Sequence, residues 1–154
     1  MAYWLLKSEP DVFGIDTLAS RPKQTSPWDG VRNYQVRNML RDDFKVGDLG
    51  FFYHSSCAVP GIAGVVEVVR AGYPDASAVD RKSQYFDAAS RAETPRWYCV
   101  DVRLKKQLGR VITLDELRAH ATRDLDGMRL LRRGNRLSIT PVSAAHWRFI
   151  LSLE

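Results

Sequence analysis

Apolar positions in this chain fall into short blocks with two different spacings. Tyr3-Trp4-Leu5-Leu6 is a continuous apolar block of the kind that forms a short buried strand, and Leu49 to Tyr53 is a second. Ile62 to Val69 is rich in β-branched residues and interrupted only by Glu67, the composition of a buried central strand. From Trp97 to Leu104 the period is two: Tyr98, Val100, Val102 and Leu104 alternate with Trp97, Cys99, Asp101 and Arg103. Leu137-Ser138-Ile139 alternates in the same way, and Pro141 is expected to stop it.

Other stretches follow the helical period. Val36, Met39 and Leu40 recur at i, i+3 and i+4 while Arg37 and Arg41 face away, which predicts a helix from Asn33 to near Asp43. Thr113-Leu114-Asp115-Glu116 has the form of a capping box and opens a helix with Leu114, Leu117 and Ala121 inward. Leu125, Met128 and Leu131 predict another turn ended by Gly134, and Ser143 caps a last helix burying Trp147, Ile150 and Leu151. A helical turn is expected over Ile15 to Ala19. Pro27 to Arg32 reads as a loop with Asp29-Gly30 as its turn signal, and Lys45 to Asp48 as a turn. Ala71 to Pro95 is a long polar connection holding Tyr73, Tyr85 and Phe86; its length marks a functional element or an unrecognised piece of structure. Strands joined by helices without regular βαβ alternation predict an α+β domain with a curled sheet or small barrel.

A chain of 154 residues fits one domain, 1–154, and buries roughly 70% of its unfolded surface without needing a disulfide or metal. Cys57 and Cys99 are its only cysteines and suit a reducing cytoplasm. No apolar run approaches the ~20 residues that span a bilayer, and Lys7-Ser8-Glu9-Pro10 breaks the apolar start, so neither membrane insertion nor a signal peptide is expected. The net charge of +5 is unevenly placed, the excess lying after Ser90. Arg129, Arg132, Arg133 and Arg136 cluster there with no acid among them, which makes either a polyanion-attracting patch or a solvated arginine face.

Signatures of catalysis are missing. No phosphate-binding glycine loop, nucleophile elbow or paired-histidine metal motif occurs, and His54, His120 and His146 are scattered. The expectation is no catalytic residue, no metal and no cofactor. Polar and aromatic residues do concentrate at predicted element ends: Lys7, Ser8 and Glu9; Trp28; Arg32 and Asn33; Tyr53, His54 and Ser55; Trp97. If these ends converge they form a hollow with flat walls and a rim of donors and acceptors, suited to a planar heterocycle. Plainer roles exist for each. Trp28 plugs a core, Asn33 and Ser8 cap helices, Glu9 pairs with Arg32, Tyr53 and His54 end a strand, and Trp97 packs across strands.

The blocks also resemble a known family. Tyr3 to Pro10, Trp28-Asp29-Gly30-Val31-Arg32-Asn33-Tyr34-Gln35, Val46-Gly47-Asp48, Phe52-Tyr53-His54-Ser55, Gly61-Ile62-Ala63-Gly64, Tyr73-Pro74-Asp75, Pro95-Arg96-Trp97 with Val100-Asp101-Val102, and Arg136 to Val142 follow the order of the EVE domain over nearly the whole chain. Val36, Phe86 and Asp42-Asp43-Phe44 depart from the usual pattern. The resemblance implies a PUA-like distorted β-barrel with flanking helices, similar to YTH and ASCH domains. It implies a non-catalytic reader of modified cytosine or adenine in DNA or RNA. The base pocket would be Lys7, Ser8, Glu9, Trp28, Arg32, Asn33, Tyr53, His54, Ser55 and Trp97. On the charge reading, Arg129, Arg132, Arg133 and Arg136, with Arg37 and Arg41, would hold phosphates; a separate effector protein would act on the signal, and a monomer is favoured. The competing readings are an enzyme using Lys7, Glu9 and His54 on a base or nucleotide, and a sensor of a free heterocycle.

Overall fold

The structure, a computed structural model, describes residues 1–154. Six strands form one mixed sheet: β1 (Tyr3–Ser8), β2 (Thr25–Trp28), β3 (Leu49–His54), β4 (Gly61–Pro74), β5 (Tyr98–Thr113) and β6 (Ile139–Val142). Their order is β2-β5-β4-β3-β1-β6, with β1 parallel to β3 and every other pair antiparallel. Five short helices flank the sheet: α1 (Pro10–Phe13), α2 (Ile15–Ser20), α3 (Tyr34–Asn38), α4 (Leu114–Arg118) and α5 (Ala144–Ser152). The α+β class expected from the sequence is the one observed.

Two cores, one on each face, explain why β1 and β3 read as unbroken apolar runs. Trp4, Leu6 and Phe52 point into one core with Trp28, Val66 and Val102. Leu5, Phe51 and Tyr53 point into the other with Ile62, Ile112, Trp147 and Ile150. A strand buried on both faces loses its alternation. On the first face the Trp4 indole stacks on Phe44 with ring centres 4.2 Å apart, and its N–H donates to the buried Asp48 carboxylate at 3.1 Å. On the second, α5 seats Trp147 against Phe51 at 3.9 Å. Thr113 and Ser143 cap α4 and α5 as expected, accepting from the amides of Glu116 and His146.

Several expectations are corrected. Pro27 lies in β2 rather than a loop, and Pro141 lies inside β6 rather than ending it. The reason is shared: β2 and β6 are the two edges of the sheet, where a residue without an N–H costs no ladder bond. The strand predicted to end at Leu104 runs on to Thr113 through Lys105-Lys106-Gln107, whose exposure hides it from any hydrophobic pattern. The predicted helix over 33–43 splits into α3 and a wider π turn, Met39–Asp43. The predicted turn before Gly134 is a short 3₁₀ segment, Arg129–Leu131, and Leu151 is exposed. The long connection is partly strand, since β4 reaches Pro74, and partly a 3₁₀ turn at Ala76–Ala78.

Register shifts between β3 and β4 and at four places between β4 and β5 bend the sheet. The bend matters for function. β1 and β2 lie four places apart in the strand order, yet their ends meet around one cavity.

Candidate functional site

The last residues of β1 (Lys7, Ser8) with Glu9, the end of β2 with the turn after it (Ser26 to Arg32), and Gln84 and Tyr85 of the long connection surround a cavity of about 550 Å³. Val12, Phe13, Arg21 and Ser138 complete it. That size falls within the roughly 300–1,000 Å³ of small-molecule sites.

Trp28 is 7% exposed, so it is both a core residue and a wall of the cavity. Phe13 and Phe52 meet it edge-on, at 6.2 and 5.4 Å between ring centres, and fix the plane of the indole. Tyr85 supplies a second aromatic surface by lying over Gly30. A Cβ at Gly30 would stand 2.7 Å from that ring, and the backbone there has φ +80°, so two independent constraints demand glycine.

Arg32 bolts the long connection to this wall. Its guanidinium donates to the Tyr85 carbonyl through Nε (3.1 Å) and Nη2, to the Val31 carbonyl at 2.8 Å and to Asp75 Oδ2 at 3.2 Å. Asp75 is buried and also accepts from the Gly30 amide (2.9 Å) and from the amide and hydroxyl of Ser77 (2.9 and 2.6 Å). Burial alone would raise the Asp75 pKa; the donors from Ser77, Gly30 and Arg32 outweigh it and hold the pKa below its ordinary value. Arg32 therefore has most of its donors engaged by protein and acts mainly to position the wall.

Two carboxylates, Glu9 and Asp29, reach the cavity alongside the cations Lys7 and Arg21. Dehydration among packed neighbours, then the nearby Asp75 charge, raises the Asp29 pKa against the pull of Arg32 and Arg21. Lys7 is half-buried, and that burial lowers its pKa. Ser8 donates its hydroxyl to the Phe13 carbonyl at 2.7 Å, which leaves its oxygen to serve as an acceptor.

Of the ten residues expected at a base pocket, the fold brings Lys7, Ser8, Glu9, Trp28 and Arg32 to the cavity. The other five lie elsewhere for definite reasons. Asn33 caps α3, its Oδ1 accepting from the Val36 amide at 3.0 Å. Trp97 sits behind Arg32, 5.3 Å from the guanidinium carbon, stacked on Tyr34 and donating to Asp87 at 2.7 Å. His54 turns its Nε2 to accept from the Ile15 amide at 3.1 Å, and burial lowers its pKa. Ser55 donates its amide to the Ser8 carbonyl at 2.9 Å, and Tyr53 lines a separate groove. The acid–base set Lys7, Glu9 and His54 is thus not assembled. Glu9 and Arg32 are not paired either, because Arg32 is taken by Asp75.

The arginines divide similarly. Arg37 donates to the Arg96 carbonyl at 2.7 Å and covers Tyr34, while Arg41 pairs with Asp42 at 2.8 Å and covers Tyr98. Arg132 and Arg133 line the second groove, and Arg129 and Arg136 are exposed and line neither hollow. Sequence reasoning missed Phe13, Arg21, Asp29 and Tyr85. The available signals were Asp29, inside the Trp28–Gln35 block, and Tyr85, an aromatic residue stranded in a polar connection.

Comparison with known proteins gives a consistent picture. The EVE domain family model matches residues 2–153. Human thymocyte nuclear protein 1 is 42% identical over 168 residues, covering 99% of this chain and 74% of that protein. A crystal structure from Pseudomonas syringae superposes with a TM-score of 0.92 at 44% identity, covering 99% of both chains. Human THYN1 protein in complex with 5-methylcytosine-containing DNA superposes with a TM-score of 0.93 at 40% identity, covering 99% of this chain and 97% of that one.

Proposed function

The chain belongs to the EVE domain family, and from that membership and the cavity we propose that it is a non-catalytic module reading a modified cytosine in DNA. The observation that carries the reading is Trp28, immobilised by Phe13 and Phe52 with its remaining surface on a cavity of nucleobase-accepting size. The human THYN1 complex with 5-methylcytosine-containing DNA, at nearly the same fold, supports it.

The base leaves the helix stack and enters between the Trp28 and Tyr85 surfaces. Extrusion costs a few kcal/mol. Stacking returns about 1–3 kcal/mol. The exocyclic amine of cytosine donates to a carboxylate, and Asp29 and Glu9 stand at the cavity for that purpose. A methyl group adds about 1–3 kcal/mol of discrimination, so selectivity is graded rather than absolute.

Titration of modified and plain duplexes tests this. Trp28→Ala is expected to abolish discrimination and leave residual, salt-sensitive binding. Because Trp28 is also core, Asp29→Asn serves as a second variant: it keeps the volume, replaces one acceptor oxygen by a donor, and is expected to weaken modified and plain cytosine duplexes alike, since both carry the exocyclic amine. Unchanged discrimination in Trp28→Ala together with unchanged affinity in Asp29→Asn would sink the proposal, and the same titration on RNA decides between polymers.

A further inference from the structure

We propose that the groove beside the base cavity is a built phosphate site, which takes the phosphodiester next to the inserted nucleotide. The inference rests on the base-reading function above and assigns a second anchoring point to it. The groove has a volume of about 380 Å³, and its polar lining consists of Lys7, Tyr53, Arg118, Arg132, Arg133 and Asn135. No carboxylate is among the lining residues.

Three features point to an anion with several acceptor oxygens. First, the cations are not neutralised at home. Arg132 and Arg133 have no acidic partner within 4 Å, and Arg118 has only a 3.8 Å contact with the highly exposed Asp115. Second, Asn135 carries an orphaned donor. Its Oδ1 accepts from the Leu137 amide at 3.4 Å, which orients the amide and leaves the buried Nδ2 without a partner. Asn135 also lines the groove, so an acceptor bound there gives this donor a partner once the side chain turns toward it. Third, Leu114, Leu130 and Leu131 with Gly134 form the rest of the lining, and an apolar surround strengthens charge-assisted bonds.

The identity of the anion follows from position. Lys7 lines both the groove and the base cavity, so a single side chain separates them. A nucleotide with its base in the cavity would carry its phosphate past Lys7 toward the groove. Guanidinium forks and a primary amide match phosphate oxygens, and the turn that presents Arg132, Arg133 and Asn135 is closed by the Asn135 amide donating to the Arg132 carbonyl at 3.2 Å. Arg37 and Arg41, committed to Arg96 and Asp42, are left out of this role.

The experiment compares wild type with Arg132→Gln/Arg133→Gln, both exposed positions whose replacement leaves the cores intact. Binding of a 5-methylcytosine duplex and its plain counterpart is followed by fluorescence anisotropy between about 50 and 200 mM salt. The double variant is expected to weaken both duplexes by the same factor and to lower the slope of log K against log salt by about 1–2. The ratio between modified and plain duplexes stays as in wild type. The Asn135 side-chain amide resonance is expected to shift on adding either duplex and not to shift in the double variant. An unchanged salt slope together with an unmoved Asn135 resonance would overturn the site. Saturation by inorganic phosphate that leaves duplex binding unaffected would overturn the polymer assignment in favour of free phosphate. Loss of the base-reading function itself looks different: wild type would bind both duplexes alike while the double variant still lowered the slope.

Discussion

Arg32→Lys separates a positioning role from direct ligand contact. Lysine keeps the charge but has no planar fork, so it cannot hold the Tyr85 carbonyl and the Asp75 carboxylate together. Removing one partner of a fully buried pair costs about 3–5 kcal/mol. Here that figure is too high, because the Arg32 side chain is 25% exposed and Asp75 keeps donors from Gly30 and Ser77. What remains is a charged hydrogen bond and the tie to Tyr85, about 1.5–3 kcal/mol in all. Urea unfolding at pH 7 measures it as a fall in midpoint with little change in slope. The pH dependence supplies a second check. A carboxyl whose folded pKa is depressed contributes stability that is present above its ordinary value of 3.8 and lost as pH falls below it. The gap between wild type and variant should therefore close below that pH. A loss under about 0.5 kcal/mol, or a gap indifferent to acid, would refute the bolt, and Arg32 would have to act on the ligand itself.

Gly30→Ala is expected to destabilise by more than ~1 kcal/mol, where a compatible glycine site would gain stability from the same change, because the new methyl meets both φ +80° and the Tyr85 ring. Adding Tyr85→Ala should recover only the part due to the ring, which a double-mutant cycle in urea would measure. His54→Gln should remove a pH-dependent loss of stability. Burial depresses the His54 pKa while its Nε2 accepts from Ile15, so wild-type stability is complete above the ordinary value of 6.5 and declines as pH falls through the lowered one. Thermal melts of both proteins between pH 7.5 and about 5 check this, and parallel curves would contradict it.

The sequence by itself marked strands β1 and β3, the first part of β4, and the caps at Thr113 and Ser143, because strand patterning and capping act through residues close together in the chain. It also determined that Trp28 and Lys7-Ser8-Glu9 belong to unusual places, since an indole beside a turn and a polar triplet after an apolar strand break the local pattern. Edge position was decided only in three dimensions: Pro27 and Pro141 look like breakers until the sheet order puts both on edge strands, where a missing N–H is tolerated. The same holds for the site. His54 pairs with the cavity residue Ser8 across β1 and β3, but whether a strand-end side chain points inward or serves a neighbour's amide depends on bulges that shift register along β3, β4 and β5. Tyr85 and Asp29 join Trp28 because Arg32 and Asp75, 43 residues apart, close the long connection over the cavity. Such a closure is a long-range pairing of charges, and one-dimensional spacing carries no record of it.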